Sequence, residues 1–140
     1  MNYLFGEGVN VYRLAMTIFL LFHIGLIVEL LLIGHYESFW QYFPLITLVL
    51  SLLSQLFKAM SLQIVKIFFL LTIFAGVLGV ILHLKNNWEF ELEMYPGMDW
   101  TDLLFNSFSG ALPALAPGTL IPIGMMGFLL LQLKSKNESK

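Results

Sequence analysis

Four long apolar segments, separated by shorter polar stretches, dominate the pattern of the chain. They cover approximately residues 11–33, 41–57, 62–84 and 112–133. A helix needs about 20 consecutive, mostly apolar residues to cross the hydrocarbon core of a bilayer, and the second segment is the shortest of the four. The pattern therefore predicts an all-α membrane protein, a bundle of four transmembrane helices.

The longest interruption, residues 85–111, predicts an outer-face loop between spans three and four. Within this loop the stretch WEFELEM, residues 88–94, alternates between apolar and acidic side chains. Alternation with a period of two is typical of an extended segment, here with one apolar edge and one acidic edge. We therefore expect an extended segment, although glutamate is a poor strand former.

A short helix is expected after the turn residues Pro96 and Gly97. Asp99 or Thr101 can act as its N-cap, and apolar residues recur at helical spacing up to about Phe108. Such a helix would either lie in the membrane interface or form the descending arm of a re-entrant turn. Both placements stay open at this point, since prolines interrupt the chain where the fourth span begins.

The composition leaves too little polar surface for a water-soluble fold. Of the 140 residues, 59% are hydrophobic and 11% are charged, whereas soluble domains carry about 25% charged residues. The length predicts one integral membrane domain over residues 1–140. The absence of cysteine excludes disulfides, thiolate metal sites, iron–sulfur clusters and covalently attached haem. A formal net charge of −2, without any basic run, argues against a nucleic-acid partner.

The charged residues divide between the two sides of the membrane. Four spans place both termini on one side, and all but one of the seven basic residues flank that side. These residues are Arg13, Lys58, Lys66, Lys134, Lys136 and Lys140, with Lys85 alone on the other side. The positive-inside rule therefore predicts cytoplasmic N- and C-termini in a bacterial inner membrane.

Three ionisable side chains away from the cytoplasmic ends of the spans are candidates for a functional role, namely His23, Glu29 and His83. At 1.5 Å rise per residue, Glu29 and His83 match in depth within about 4 Å. This match predicts either a structural polar contact between spans one and three or the floor of an outward-facing cation or proton site. His23 lies about 13 Å deeper than His83, which disfavours a b-type haem held by these two histidines. Alone, His23 suits a hydrogen bond to a neighbouring helix better than a ligand role.

The second span carries a stripe of polar residues. Thr47, Ser51, Ser54, Gln55 and Lys58 fall on one helical face. Such a stripe either forms hydrogen bonds between helices or lines a polar path toward the cytoplasm. The intramembrane polar set predicted from the sequence is His23, Glu29, Ser51, Ser54 and Gln55.

A divalent metal site is one interpretation of the outer face. Carboxylate oxygens and imidazole nitrogens suit calcium, magnesium, manganese, zinc or copper. The candidate ligands are Glu29, His83, Glu89, Glu91 and Glu93. Their spacing is not diagnostic, because in an extended segment the three loop glutamates would stand about 7 Å apart. A solvated acidic face is the competing interpretation, and the sequence requires neither a metal nor a haem.

Three functional classes follow from these features. The first is a non-enzymatic accessory or scaffold subunit that presents the acidic, aromatic outer loop to a membrane or extracytoplasmic protein partner. The partner-facing residues would be Trp88, Glu89, Glu91, Glu93, Asp99, Trp100 and Asp102. The second is metal-cation or proton handling through the Glu/His site, and the third is a haem- or quinone-binding redox protein. Enzymatic activity is less expected because no nucleophile elbow or H-E-x-x-H motif is present, and homo-oligomerisation stays open.

Overall fold

The computed structural model of the protein describes residues 10–57, 60–110 and 112–138, and these residues form helices, turns and no strand. The helices are α1 (Val11–Leu32), α2 (Phe39–Leu56), α3 (Leu62–Met94), α4 (Trp100–Ser109) and α5 (Leu120–Glu138), with a 3₁₀ turn (Ala116–Thr119) directly before α5. Four helical segments are long and apolar enough to cross a membrane: Val11–Leu32, Phe39–Leu56, Leu62–Met94 and Ala116–Asn137. The predictions of an all-helical fold and of four such segments are confirmed. Lys58, Lys140 and position 111 lie outside the described residues.

The prediction of an extended segment at residues 88–94 is wrong, since α3 continues without a break through this stretch to Met94. Glutamate, leucine and methionine are good helix formers, and a helix that already extends from Leu62 gains one backbone hydrogen bond for each residue added. The side chain of Lys85 also pairs with Glu89 one turn later, at 3.2 Å. Residues 85–94 therefore belong to α3, and the outer loop begins at Tyr95 rather than at residue 85.

The helix α3 is the centre of the fold, because it packs against α2, α4 and α5. Its contact with α5 is close where α5 has glycines. A Cβ added at Gly124 would lie 2.7 Å from the carbonyl oxygen of Phe69, and one added at Gly127 would lie 2.5 Å from the ring of Phe69. Small residues let helix backbones approach in this way within a membrane. Phe69 is fully buried in a core cluster with Val65 of α3, Leu130 of α5 and Phe19 of α1.

The two ends of the bundle differ in the residues that they carry. We call the end that carries Val11, Leu56 and Leu62 the inner end, following the expected orientation, and the opposite end the outer end. At the outer end the chain turns at Gly97, which has a φ of 117°, and returns through α4. The side chain of Asp99 caps α4 by accepting a hydrogen bond from the Thr101 N–H at 3.2 Å. Of the two predicted N-caps, Asp99 is therefore the correct one.

Candidate functional site

A buried histidine joins α1 to α2. His23 is fully buried, and its Nδ1–H donates to the carbonyl oxygen of Phe19 at 2.9 Å. Because a carbonyl oxygen can only accept, Nδ1 carries the proton, and in the neutral ring Nε2 accepts from the Ser51 hydroxyl at 2.7 Å. The one hydrogen of Ser51 then points to His23 rather than to the Leu48 carbonyl, which lies 3.0 Å away. Both ring nitrogens are thus engaged by protein groups, and in this arrangement neither offers a free lone pair to a haem iron.

The other buried hydroxyls extend this polar contact across the bundle. The Ser54 hydroxyl donates to the Ser51 carbonyl at 2.7 Å. On α3, the Thr72 hydroxyl donates to the Phe68 carbonyl at 2.9 Å and lies 3.3 Å from the carbonyl of Thr47 on α2. Among the described residues, no buried side-chain nitrogen or oxygen lacks a hydrogen-bond partner. Within the polar stripe of α2, the Ser51 side chain therefore bonds to another helix, whereas the Ser54 hydroxyl bonds within α2.

Thr72 was missed by the sequence analysis. It stands alone in an apolar run, about 15 Å above Leu62. That depth is close to the middle of a bilayer, where a lone hydroxyl needs a partner on its own or a neighbouring helix. Its position in the sequence was the available signal, although the sequence could not identify Thr47 as the neighbour.

The structure does not join Glu29 to His83. Glu29 is exposed on the surface of α1, whereas the Nδ1–H of His83 donates to the carbonyl oxygen of Pro113 at 3.3 Å. His83 is instead near His35, in the turn after α1. Burial and, second, the positive charge of His83 lower the pKa of His35. The two residues that match in depth therefore face different surroundings.

The glutamates of the outer part of α3 do not form a ligand cluster with Glu29 and His83. Glu89 pairs with Lys85, Glu93 is exposed and Glu91 is half-buried. Within residues 10–57, 60–110 and 112–138, no group of three or more histidine, aspartate or glutamate side chains is placed to hold a metal ion. The predicted ligand set is thus dispersed over α1, the middle of α3 and its outer turns.

A buried asparagine fastens the outer end of the molecule. Asn87 on α3 is 2% exposed, and its Nδ2 donates to the carbonyl oxygens of Ser107 at 2.9 Å and Leu112 at 2.7 Å. Its Oδ1 accepts from the Leu112 N–H at 3.1 Å. A Cβ added at Gly110 would lie 3.0 Å from the Asn87 Cγ, so the chain passes close to the amide. We call residues 85–109 the outer hairpin, since they comprise the end of α3, the turn and α4.

The surface of the outer hairpin is both acidic and apolar. Of the seven predicted partner-facing residues, Trp88 and Glu91 are half-buried and the rest are exposed: Glu89, Glu93, Asp99, Trp100 and Asp102. Hydrogen bonds from the Thr101 hydroxyl and N–H lower the pKa of Asp99 and keep it ionised. Large apolar side chains are exposed among these carboxylates, namely Phe90, Leu92, Met94, Tyr95, Leu104, Phe105 and Phe108.

A cavity of about 160 Å³ lies at the inner end. Its polar lining consists of Tyr12 from α1, Ser54 and Gln55 from α2, and Lys134 from α5. The remaining lining is apolar and includes Leu62 and Val65 from the first turn of α3, so all four long helices contribute. The polar stripe of α2 reaches this cavity through Ser54 and Gln55.

The fold defines an all-helical protein with four helices long enough to span a membrane, which fits the class of multi-pass membrane proteins. Comparison with known protein families, curated proteins and solved structures finds no match to this chain.

Proposed function

We propose that the protein is a non-enzymatic accessory or scaffold subunit of a bacterial inner membrane, which presents its outer hairpin to a protein partner outside the cytoplasm. The proposal takes the orientation from the excess of lysine and arginine at the inner end, which places both termini in the cytoplasm. It treats the chain as one integral domain, a bundle of four transmembrane helices.

The length of α3 is the observation that carries this proposal. The helix has 33 residues, which corresponds to about 50 Å at 1.5 Å per residue, whereas the hydrocarbon core is about 30 Å thick. If α3 enters the core at Leu62, Phe90 lies about 42 Å farther along the helix axis, beyond the core and the headgroups. With α3 placed in this way, the exposed apolar side chains at the tip of the outer hairpin lie beyond the reach of lipid tails, which supports the proposal.

The position of α4 follows from the same geometry. Since Ser107 and Leu112 contact Asn87, α4 runs back alongside the outer turns of α3 before the chain enters α5. In our proposal α4 therefore lies outside the hydrocarbon core, beside the outer turns of α3, rather than in a re-entrant turn or flat in the interface. An exposed apolar patch of this kind marks a protein contact more often than free surface.

The chemistry of the patch indicates the kind of partner. Glu89, Glu91, Glu93, Asp99 and Asp102 carry negative charge on the outer hairpin, and Lys85 is the only basic residue within it. A complementary surface would carry lysine or arginine around apolar side chains, because opposite charges orient an encounter and apolar contacts then hold it. The buried Asn87 contacts fix α4 in advance, which lowers the entropy lost on binding.

Photo-crosslinking in native membranes tests this proposal. A benzoyl-phenylalanine probe would replace Phe105 on α4, and the control probe would replace Phe39 at the outer end of α2. Both side chains are 72% exposed, so they differ in location rather than in accessibility. We expect a protein adduct from the probe at position 105 that the probe at position 39 does not form.

Charge neutralisation then separates a specific partner from a random collision. The triple variant E89Q, E91Q and E93Q should remove most of the adduct, whereas E37Q, at an exposed carboxylate in the turn between α1 and α2, should leave it unchanged. Equal adducts at positions 105 and 39, or an adduct that is insensitive to the triple variant, would contradict the proposal.

A further inference from the structure

The cavity at the inner end has a lining that selects for a particular charge. It is formed by the inner turns of all four long helices, and in the orientation proposed above these turns lie near the headgroups of the inner leaflet. Among the described residues that line it, Lys134 is exposed and is the one charged side chain, and none is a carboxylate. Basic pockets between transmembrane helices on the cytoplasmic side are suited to anionic lipid headgroups.

The hydrogen-bonding groups of the lining indicate which anionic ligand would fit. Lys134, the Gln55 amide and the Tyr12 hydroxyl can all donate to the oxygens of a phosphate. Ser54 is different, because it is 6% exposed and its only hydrogen is donated to the Ser51 carbonyl at 2.7 Å. Toward a ligand, the Ser54 oxygen can therefore only accept. The complementary ligand combines anionic oxygens with a hydroxyl group that donates.

The size and the apolar part of the lining point to a lipid rather than to a larger soluble molecule. A cavity of about 160 Å³ is smaller than the roughly 300–1,000 Å³ of typical small-molecule sites. It has room for a headgroup-sized fragment. Leu62, Val65 and Leu131 lie in the same lining and offer an apolar surface to the glycerol backbone and the first carbons of the acyl chains.

We propose that this cavity binds the headgroup of an anionic phospholipid of the inner leaflet that carries a headgroup hydroxyl, as phosphatidylglycerol does. The phosphate accepts from Lys134, Gln55 and Tyr12, and a headgroup hydroxyl donates to Ser54. The site is at the opposite end of the molecule from the outer hairpin. Its test is therefore independent of the proposed partner contact.

Native mass spectrometry of the purified full-length protein in detergent measures this binding. The lipids would be phosphatidylglycerol, phosphatidylethanolamine and phosphatidylmethanol with identical acyl chains, and sn-glycerol 3-phosphate would serve as the soluble phosphate. We expect phosphatidylglycerol to bind about five-fold more tightly than phosphatidylethanolamine. Equal binding of these two lipids, or binding of sn-glycerol 3-phosphate at the same concentration as the lipid, would overturn the proposal.

Variants of the lining locate the site. K134Q should abolish the preference for phosphatidylglycerol and K134R should keep it, whereas K66Q removes an exposed lysine of α3 that does not line the cavity and should change nothing. If K66Q and K134Q reduced phosphatidylglycerol binding equally, the lipid would be attracted to surface charge in general, and the proposed site would be wrong.

The serine provides a second, independent readout. S54A should weaken the binding of phosphatidylglycerol but not that of phosphatidylmethanol, which has the same charge and no headgroup hydroxyl. An equal effect on both lipids would overturn the role of Ser54. Thermal unfolding of each variant shows whether it is folded. If K134Q does not fold, K134R and S54A still test the proposal.

Discussion

Asn87 and Leu112 are joined by two hydrogen bonds, since the Asn87 Nδ2 donates to the Leu112 carbonyl at 2.7 Å and the Leu112 N–H donates to the Asn87 Oδ1 at 3.1 Å. One side chain of α3 thus satisfies both backbone groups of a residue in the linker that leads to α5. A third hydrogen bond, to the Ser107 carbonyl, holds the end of α4. The Asn87 amide thus fastens α4 and this linker to α3, in addition to the packing of α4 against α3.

Replacing Asn87 should therefore loosen the outer hairpin. N87A removes the partner of the buried Ser107 carbonyl and of the part-buried carbonyl and N–H of Leu112, and we expect a loss of about 3 kcal/mol in the free energy of unfolding. Hydrogen exchange of the α4 amides should become faster, while exchange in α1 changes little. The control is N86A, because Asn86 is the exposed neighbour on the same helix, and its effect should stay within about 0.5 kcal/mol. Equal effects of the two variants would contradict this account.

The hydrogen bond between His23 and Ser51 should be measurable as a coupling between α1 and α2. Polar contacts between transmembrane helices are worth about 0.6 kcal/mol on average and up to about 1.7 kcal/mol in double-mutant cycles. A cycle of H23F and S51A, followed by unfolding in detergent, should give a coupling energy in this range. The same cycle with S54A should give a smaller value, because Ser54 donates within its own helix. No coupling between His23 and Ser51 would argue against this pairing.

Stability should fall below neutral pH through His35. Because burial and the charge of His83 lower the pKa of His35 in the folded state, the unfolded chain binds this proton more readily. The stabilisation is fully present above the ordinary pKa of histidine, about 6.5, and is lost as the pH falls through the lowered folded-state pKa. The side chain is partly exposed, so solvent screening should keep the effect below about 1 kcal/mol.

Thermal unfolding between pH 8 and pH 5 measures this effect. H35Q should flatten the dependence of the melting temperature on pH, and H83Q should raise the pKa of His35 by removing the neighbouring charge. If the melting temperature of H35Q depended on pH as that of the unmodified protein does, the effect would come from another group.

The close contact between α3 and α5 should not tolerate a methyl group. In G124A the new Cβ would lie 2.7 Å from the Phe69 carbonyl oxygen, which is backbone and cannot turn aside, so we expect a loss of about 1–3 kcal/mol. The matched control is G25A in α1, because a Cβ there meets no atom within 4 Å. That change should be neutral or stabilising by up to about 1 kcal/mol, since alanine is the better helix former. Equal destabilisation by both variants would contradict this packing.

The sequence by itself determined the four long apolar helices and a capped helix start at Asp99 or Thr101, of which the structure shows Asp99. An uninterrupted apolar run identifies such a helix whatever it packs against, because exclusion from water acts on composition and length. A cap depends only on the residues within one turn of it. Local information was not sufficient at residues 88–94, where a period of two in the glutamates resembled a strand although every residue could extend the helix that precedes it.

Tertiary structure alone decided which side chains meet. Depth along a helix follows from counting residues, so Glu29 and His83 could be placed at the same level, but the direction in which each side chain points depends on how each helix is rotated and packed. That rotation turned Glu29 outward, and it brought His23 to Ser51 and Thr72 to Thr47. The contact of Asn87 with Leu112 spans 25 positions in the sequence and exists only because α4 folds back along α3. Local sequence patterns determine where the helices form. Contacts between helices depend on how the helices pack, which cannot be read from any single segment.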